Sequence, residues 1–203
     1  MDVKERITRV AAEMFFTMGI KRVKMDTIAQ KINVSKRTIY DIFRNKDSLI
    51  RATIDLSQKE QNDINNKIID NSENIIDAVL SLLQNGSELL AGIDPQYYAD
   101  LKRLYPDIWK EKIEKSKEYS FRLILELLKR GKDEGVYRQE INEEIITIIL
   151  TGQLYMLSDQ KLFPDKKFSI VEVYENIIIN MTRGVATKKG LELLEKHNKP
   201  SLP

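Results

Sequence analysis

The nineteen residues MDTIAQKINVSKRTIYDIF (Met25–Phe43) constrain this chain more than any other stretch. They contain two helical patterns joined only by Asn33-Val34-Ser35. Each pattern is about two turns long, too short to persist alone in water, so each must be held by packing. Ile28, Ala29 and Ile32 mark one face of the first pattern; Ile39, Ile42 and Phe43 mark one face of the second. Ala29 is small enough to let the two helices cross closely. Asn33 stands where the turn needs left-handed backbone, which Asn tolerates best after Gly. Val34 plugs the turn inward, and Ser35 can cap the second helix through its hydroxyl. Two short helices set across a tight turn make a helix-turn-helix, whose second helix can enter the major groove of DNA.

The face left in solvent supports that reading. With Ser35 as cap, Lys36, Arg37 and Thr38 fill the first turn, nearest the bases. Arg37 can pair bidentately with guanine, and Thr38 can meet a phosphate or a thymine methyl. Tyr40 and Lys46 flank this turn and are expected to reach phosphates, which fix register and carry little sequence information. Asp41 has two readings: it can accept a hydrogen bond from cytosine N4, or it can pair with Arg37 one turn earlier and orient it. A charged helix face is ordinarily just solvated; here cap, turn and buried triplet occur together. Charge is also unevenly placed. Residues 1–50 hold eleven Lys/Arg against six Asp/Glu, an excess of +5, so the rest of a chain of net charge +2 carries −3. A basic head on a mildly acidic body suits a polyanion partner.

Beyond the head, helical periodicity dominates, with only five Pro and eight Gly in 203 residues. The expected fold is all-α with about nine helices: 2–18, 25–32, 36–43, 46–70, 72–91, 95–103, 106–132, 142–159 and 169–195. Gly19 supplies the end of the first, and Pro95 and Pro106 suit first turns. The expected division is a helix-turn-helix domain at 1–45, a helical body at 46–195 and a flexible tail at 196–203. There is no Cys, which removes thiolate metal sites and a cysteine nucleophile. The single His, His197, falls in the tail, and no phosphate-binding glycine loop occurs. No metal, cofactor or enzymatic activity is therefore expected. The N-terminus shows no signal-peptide pattern, and the most apolar run, Ile145–Leu157, is too short to span a bilayer. A cytoplasmic protein outside the membrane is expected.

Residues 1–50 resemble the DNA-binding domain of the TetR family of bacterial transcriptional regulators. The resemblance rests on Phe15 and Gly19, Ile28-Ala29, Asn33-Val34-Ser35, Thr38-Ile39-Tyr40, Phe43, Lys46 and Leu49. Two positions depart from the family pattern. Lys24 stands where a capping, phosphate-touching Thr or Ser is usual, leaving the cap weak or supplied by Asp26, and Asn33 replaces Gly. The resemblance implies a dimer on a palindromic operator in double-stranded DNA, and a small-molecule effector bound in the middle region. Aromatic residues gather there: Tyr97, Tyr98, Tyr105, Trp109, Tyr119 and Phe121 are candidate pocket residues, though their helical spacing equally suits plain core.

The helices at 142–159 and 169–195 are apolar nearly all round, which calls for two partner surfaces. One side can pack inward and the other can meet a symmetry mate, with Ile145, Ile149, Leu154, Met156, Ile177, Ile178 and Met181 as candidate contacts. In TetR-like proteins the last two long helices play this part. The expected protein is a dimeric repressor released by an effector. Two rivals stay open: a DNA-binding dimer without a small-molecule inducer, and a helical carrier or enzyme whose head no longer binds DNA.

Overall fold

The computed structural model describes residues 2–157, 159, 162–164 and 167–197. Within them the chain forms α1 (Val3–Met18), α2 (Met25–Lys31), α3 (Lys36–Ile42), α4 (Lys46–Asn71), α5 (Ile75–Ala91), α6 (Pro95–Leu104), α7 (Pro106–Asp133), α8 (Glu143–Met156), α9 (Ile170–Val185) and α10 (Lys188–His197). Side chains cap several of these where the sequence places a short polar residue: Asp94 for α6, Asn142 for α8 and Ser169 for α9.

The helix expected at 169–195 is in fact two. Backbone pairing ends α9: Arg138 N–H donates to Val185 O at 2.9 Å and Thr187 N–H to Val136 O at 2.9 Å, on either side of a single bridge between Tyr137 and Ala186. Thr187 Oγ1 then accepts the Gly190 amide at 3.2 Å and opens α10. α10 runs through His197, and the rest of the expected tail at 196–203, residues 198–203, lies outside the described residues.

The chain divides into two compact units. The first holds the chain through Ile64 together with Gly92–Glu114. Its core joins Ile7, Ala11, Phe15, Ile20, Ile28, Ile39 and Leu49 with Tyr97 and Leu101 of α6. The unit around the head is therefore larger than 1–45, because α6 packs on α1. Tyr97 is 1% exposed, with its ring centroid 4.9 Å from that of Phe16 in an edge-to-face contact. Tyr98 stands edge-on to Tyr97, and Trp109 edge-on to Tyr98. The six candidate aromatics fall in both units. Tyr97, Tyr98, Tyr105 and Trp109 pack on the core of the first unit, whereas Tyr119 and Phe121 belong to the second. Aromatic rings at helical spacing in the first unit thus pack against one another and on its core.

The second unit holds Asn65–Ala91 and the described residues from Lys115 onward. Ile75, Ile76, Leu128, Val136, Tyr137, Leu150, Val185 and Leu194 are buried in it. The Ile75 N–H at the start of α5 donates to the Glu134 carboxylate at 2.7 Å, and Arg130 bonds the other oxygen of that carboxylate at 2.7 Å. No described helix is long and apolar enough to cross a membrane, and no described group of His, Asp or Glu could hold a metal ion.

Candidate nucleic-acid interface

The turn between α2 and α3 is built as its sequence demands. Asn33 has φ of 56°, the left-handed region, and Val34 N–H donates to Ala29 O at 3.0 Å. Ile28 and Ile39 are fully buried where the helices cross. Ser35 Oγ accepts the Thr38 amide at 3.0 Å and lies 2.8 Å from the Thr38 hydroxyl. Arg6 of α1 donates to Ile32 O at 2.7 Å, satisfying a carbonyl at the open end of α2.

This frame presents the first turn of α3. The Arg37 side chain is 90% exposed; its only described ion-pair partner is Asp41, with Nε to Oδ2 at 3.9 Å. Asp41 stands one turn on, its own side chain 69% exposed. Lys36 Nζ pairs with Asp26 of α2 at 2.9 Å and lies 5.9 Å from the Tyr40 ring centroid. The hydrogen bond to Asp26 raises the Lys36 pKa. Tyr40 is exposed, and Thr38 is half-buried against its cap.

One expectation is corrected, and one of two alternatives for the α2 cap drops out. Lys46 is not a free cation flanking α3: its Nζ donates to Ile20 O and Val23 O, both at 2.6 Å, and burial lowers its pKa. Two carbonyls of the α1–α2 turn hold it instead of solvent. Asp26 does not cap α2 either, since its carboxylate is engaged with Lys36. Lys24 occupies the cap position with extended backbone and no side-chain bond, so no side chain closes the start of α2. Arg44, missed in the sequence, is exposed between α3 and α4 with no described ion-pair partner. Its signal was its place directly after the buried Phe43. Arg6 was missed for another reason: it acts on a carbonyl 26 positions along the chain.

A capped recognition helix, braced by two other helices and displaying arginine, threonine and tyrosine, defines a helix-turn-helix DNA-binding regulator. Residues 7–53 match the family described as bacterial regulatory proteins, tetR family. The chain is 25% identical over 180 residues to the uncharacterized HTH-type transcriptional regulator YvaF of Bacillus subtilis (strain 168), covering 87% of this chain and 94% of that one. Among solved structures, a transcriptional regulator from Cytophaga hutchinsonii shares the fold with a TM-score of 0.74 at 16% identity, over 90% of this chain and 98% of the other. A regulator from Saccharomonospora viridis, solved in complex with choline, matches with a TM-score of 0.67 at 16% identity, over 91% and 98%. Residues 7–53 are thus a DNA-binding domain of the tetR type, and the chain is a DNA-binding transcriptional regulator. Regulators of this family bind DNA and form dimers.

Proposed function

We propose that this chain is a homodimeric repressor that acts in the cytoplasm on a palindromic operator and is released from it by a small-molecule effector. One observation carries the DNA side: Arg37, almost wholly exposed at the first turn of a braced recognition helix, has no structural job there. In this reading Arg37 and Thr38 read bases, with Asp41 orienting Arg37. Lys24, Lys36, Tyr40 and Arg44 meet phosphates, while Ser35 sets the helix that presents them. Arg44 takes the phosphate role that Lys46 gives up.

The dimer rests on α8, where Ile145, Ile148 and Ile149 are 54%, 62% and 44% exposed and Tyr155 and Met156 lie further along the same helix, also exposed. Leu154, Ile177, Ile178 and Met181 pack partly inward, so they would form the floor of the contact. A single recognition helix binds weakly; two, set about 34 Å apart, match one turn of DNA. For the effector, the fold-sharing regulator with choline offers support by analogy. Against it stands the packing of four of the six candidate aromatics into core, which favours the second reading, a DNA-binding dimer without an inducer.

Selection of bound fragments from random and host genomic DNA at physiological salt tests the first part. Recovery of a palindrome with half-sites one turn apart is expected; weak binding without a motif would refute it. A screen of metabolites by thermal shift separates the two readings, since a true effector stabilises the folded state by mass action. A ligand that raises the midpoint and lowers operator affinity would support release by effector.

A further inference from the structure

We infer that Asp100 is a positioning residue for DNA recognition: its buried carboxylate, acting with the Lys46 ammonium, fixes the α1–α2 turn and so the start of α2, against which α3 is set. Asp100 is fully buried in α6, within the same compact unit as the head. One oxygen accepts the backbone amide of Lys21 at 2.6 Å; the other accepts Gln96 Nε2 at 2.7 Å, with Arg103 at 3.8 Å. Lys46 at the start of α4 grips the same turn through Ile20 O and Val23 O, each at 2.6 Å. Asp94 N–H donates to Phe16 O at 2.8 Å, so α6 is also tied to the end of α1. Gly19 leaves no slack. It has φ of +78°, and a Cβ there would stand 3.0 Å from Gln96 Cγ and 3.3 Å from Asp100 Oδ2.

A fully buried carboxylate is expensive unless charge-assisted bonds compensate it, and an apolar side chain would fill the same space with less cost. What an apolar residue cannot do is fix a backbone amide by a short directional bond. The turn held in this way ends at Val23, one residue before Lys24, the cap of α2. Direct base readout depends on the placement of α3 far more than phosphate attraction does. Asp100 should therefore control specific affinity and leave non-specific affinity nearly unchanged. Loss of a negative charge would by itself favour DNA, so a simple charge effect runs the other way.

The proposal rests on the operator reading above, and the experiment separates the two. The full-length Asp100→Asn protein is titrated by fluorescence anisotropy against two duplexes of equal length, one selected by the wild-type protein and one scrambled. Both titrations use one salt concentration, well below the melting midpoint. Affinity for the selected duplex is expected to fall roughly tenfold and that for the scrambled duplex by less than about twofold. Combining Asp100→Asn with Lys46→Met should cost less than the product of the two separate losses, because both act through one turn. An unchanged operator affinity in the folded variant, or equal losses on both duplexes, would overturn the inference. If Asp100→Asn does not fold, Gln96→Ala keeps the carboxylate and removes one of its donors. It should lower operator affinity alone, by about threefold, and no change would overturn the inference equally. A wild-type protein that selects no motif fails the operator reading before any variant is made, and this inference falls with it.

Discussion

Arg37 and Lys46 lie nine positions apart, both basic, and the structure gives them opposite work. Arg37 touches almost nothing of its own protein, so Arg37→Ala should leave folding within about 0.5 kcal/mol of wild type. On DNA it should cost about 1–3 kcal/mol and relax preference at one base position, measured by repeating the selection with the variant. A variant that keeps the wild-type motif would remove Arg37 from base reading. Lys46 is the converse. Lys46→Met leaves two carbonyls of the α1–α2 turn without their donor and should cost about 1–3 kcal/mol of stability, read from urea unfolding. The salt slope of scrambled-duplex binding should scarcely change, because the lost charge was not among those facing phosphate. A slope reduced by about one would restore Lys46 to the DNA interface. Sequence alone could not separate these residues. Lys36 and Arg37 are neighbours on a short helix, and Lys46 follows a cap, so each looked exposed. The bond that withdraws Lys46 reaches back 23 and 26 positions, where local spacing says nothing.

At the scale of elements, the parts fixed by local chemistry were the legible ones. Asn33 at φ 56° and the Ser35 cap are single-residue requirements of a turn, and both were visible in three letters of sequence. The helices of the head, from α1 to α3, likewise end within a residue of their apolar patterns. What the sequence did not show was the break between α9 and α10. No proline stands there; the interruption comes from residues 136–138, some fifty positions earlier, which pair with 185–187. Gly190 is part of that arrangement, since a Cβ on it would run into the Val136 carbonyl oxygen. Gly190→Ala should therefore destabilise by about 1–3 kcal/mol despite the better helix propensity of alanine. Gly152→Ala in α8, where a Cβ meets nothing within 4 Å, should gain up to about 1 kcal/mol in a monomer. Thermal unfolding of the pair checks this, and a Gly190→Ala variant as stable as wild type would show that the junction yields easily. The aromatics of the middle region pose the same difficulty as the missed break. Spacing shows that Tyr98, Leu101, Tyr105 and Ile108 share a face of the chain, but not which partner covers that face.

For the whole molecule, the decisive fact is that α8 keeps its apolar stripe in solvent. Ile145, Ile148, Ile149, Tyr155 and Met156 recur at intervals of one turn or two, with Gly152, which has no side chain, between them. Thr147 and Leu150 of the same helix are buried, so the helix has an inner face already satisfied and an outer one that is not. Burying an isoleucine is worth about 1.5–3 kcal/mol, and a contiguous row of them in water favours self-association. A two-fold contact would use the stripe twice and let the small Gly152 admit the facing helix. Ile148, the most exposed of the set, was not among the contacts expected from sequence, although it lies one turn from Ile145. Ile148→Glu tests the arrangement without touching the core. The variant should keep its helical circular dichroism and sediment as a monomer where the wild type sediments as a dimer. Operator affinity should then fall by two orders of magnitude or more, on the order expected when two linked half-site contacts become independent. Binding to an isolated half-site should stay the same, since no head residue has changed. A variant that remains dimeric would place the two-fold contact elsewhere on the chain, and α8 would need another partner for its stripe.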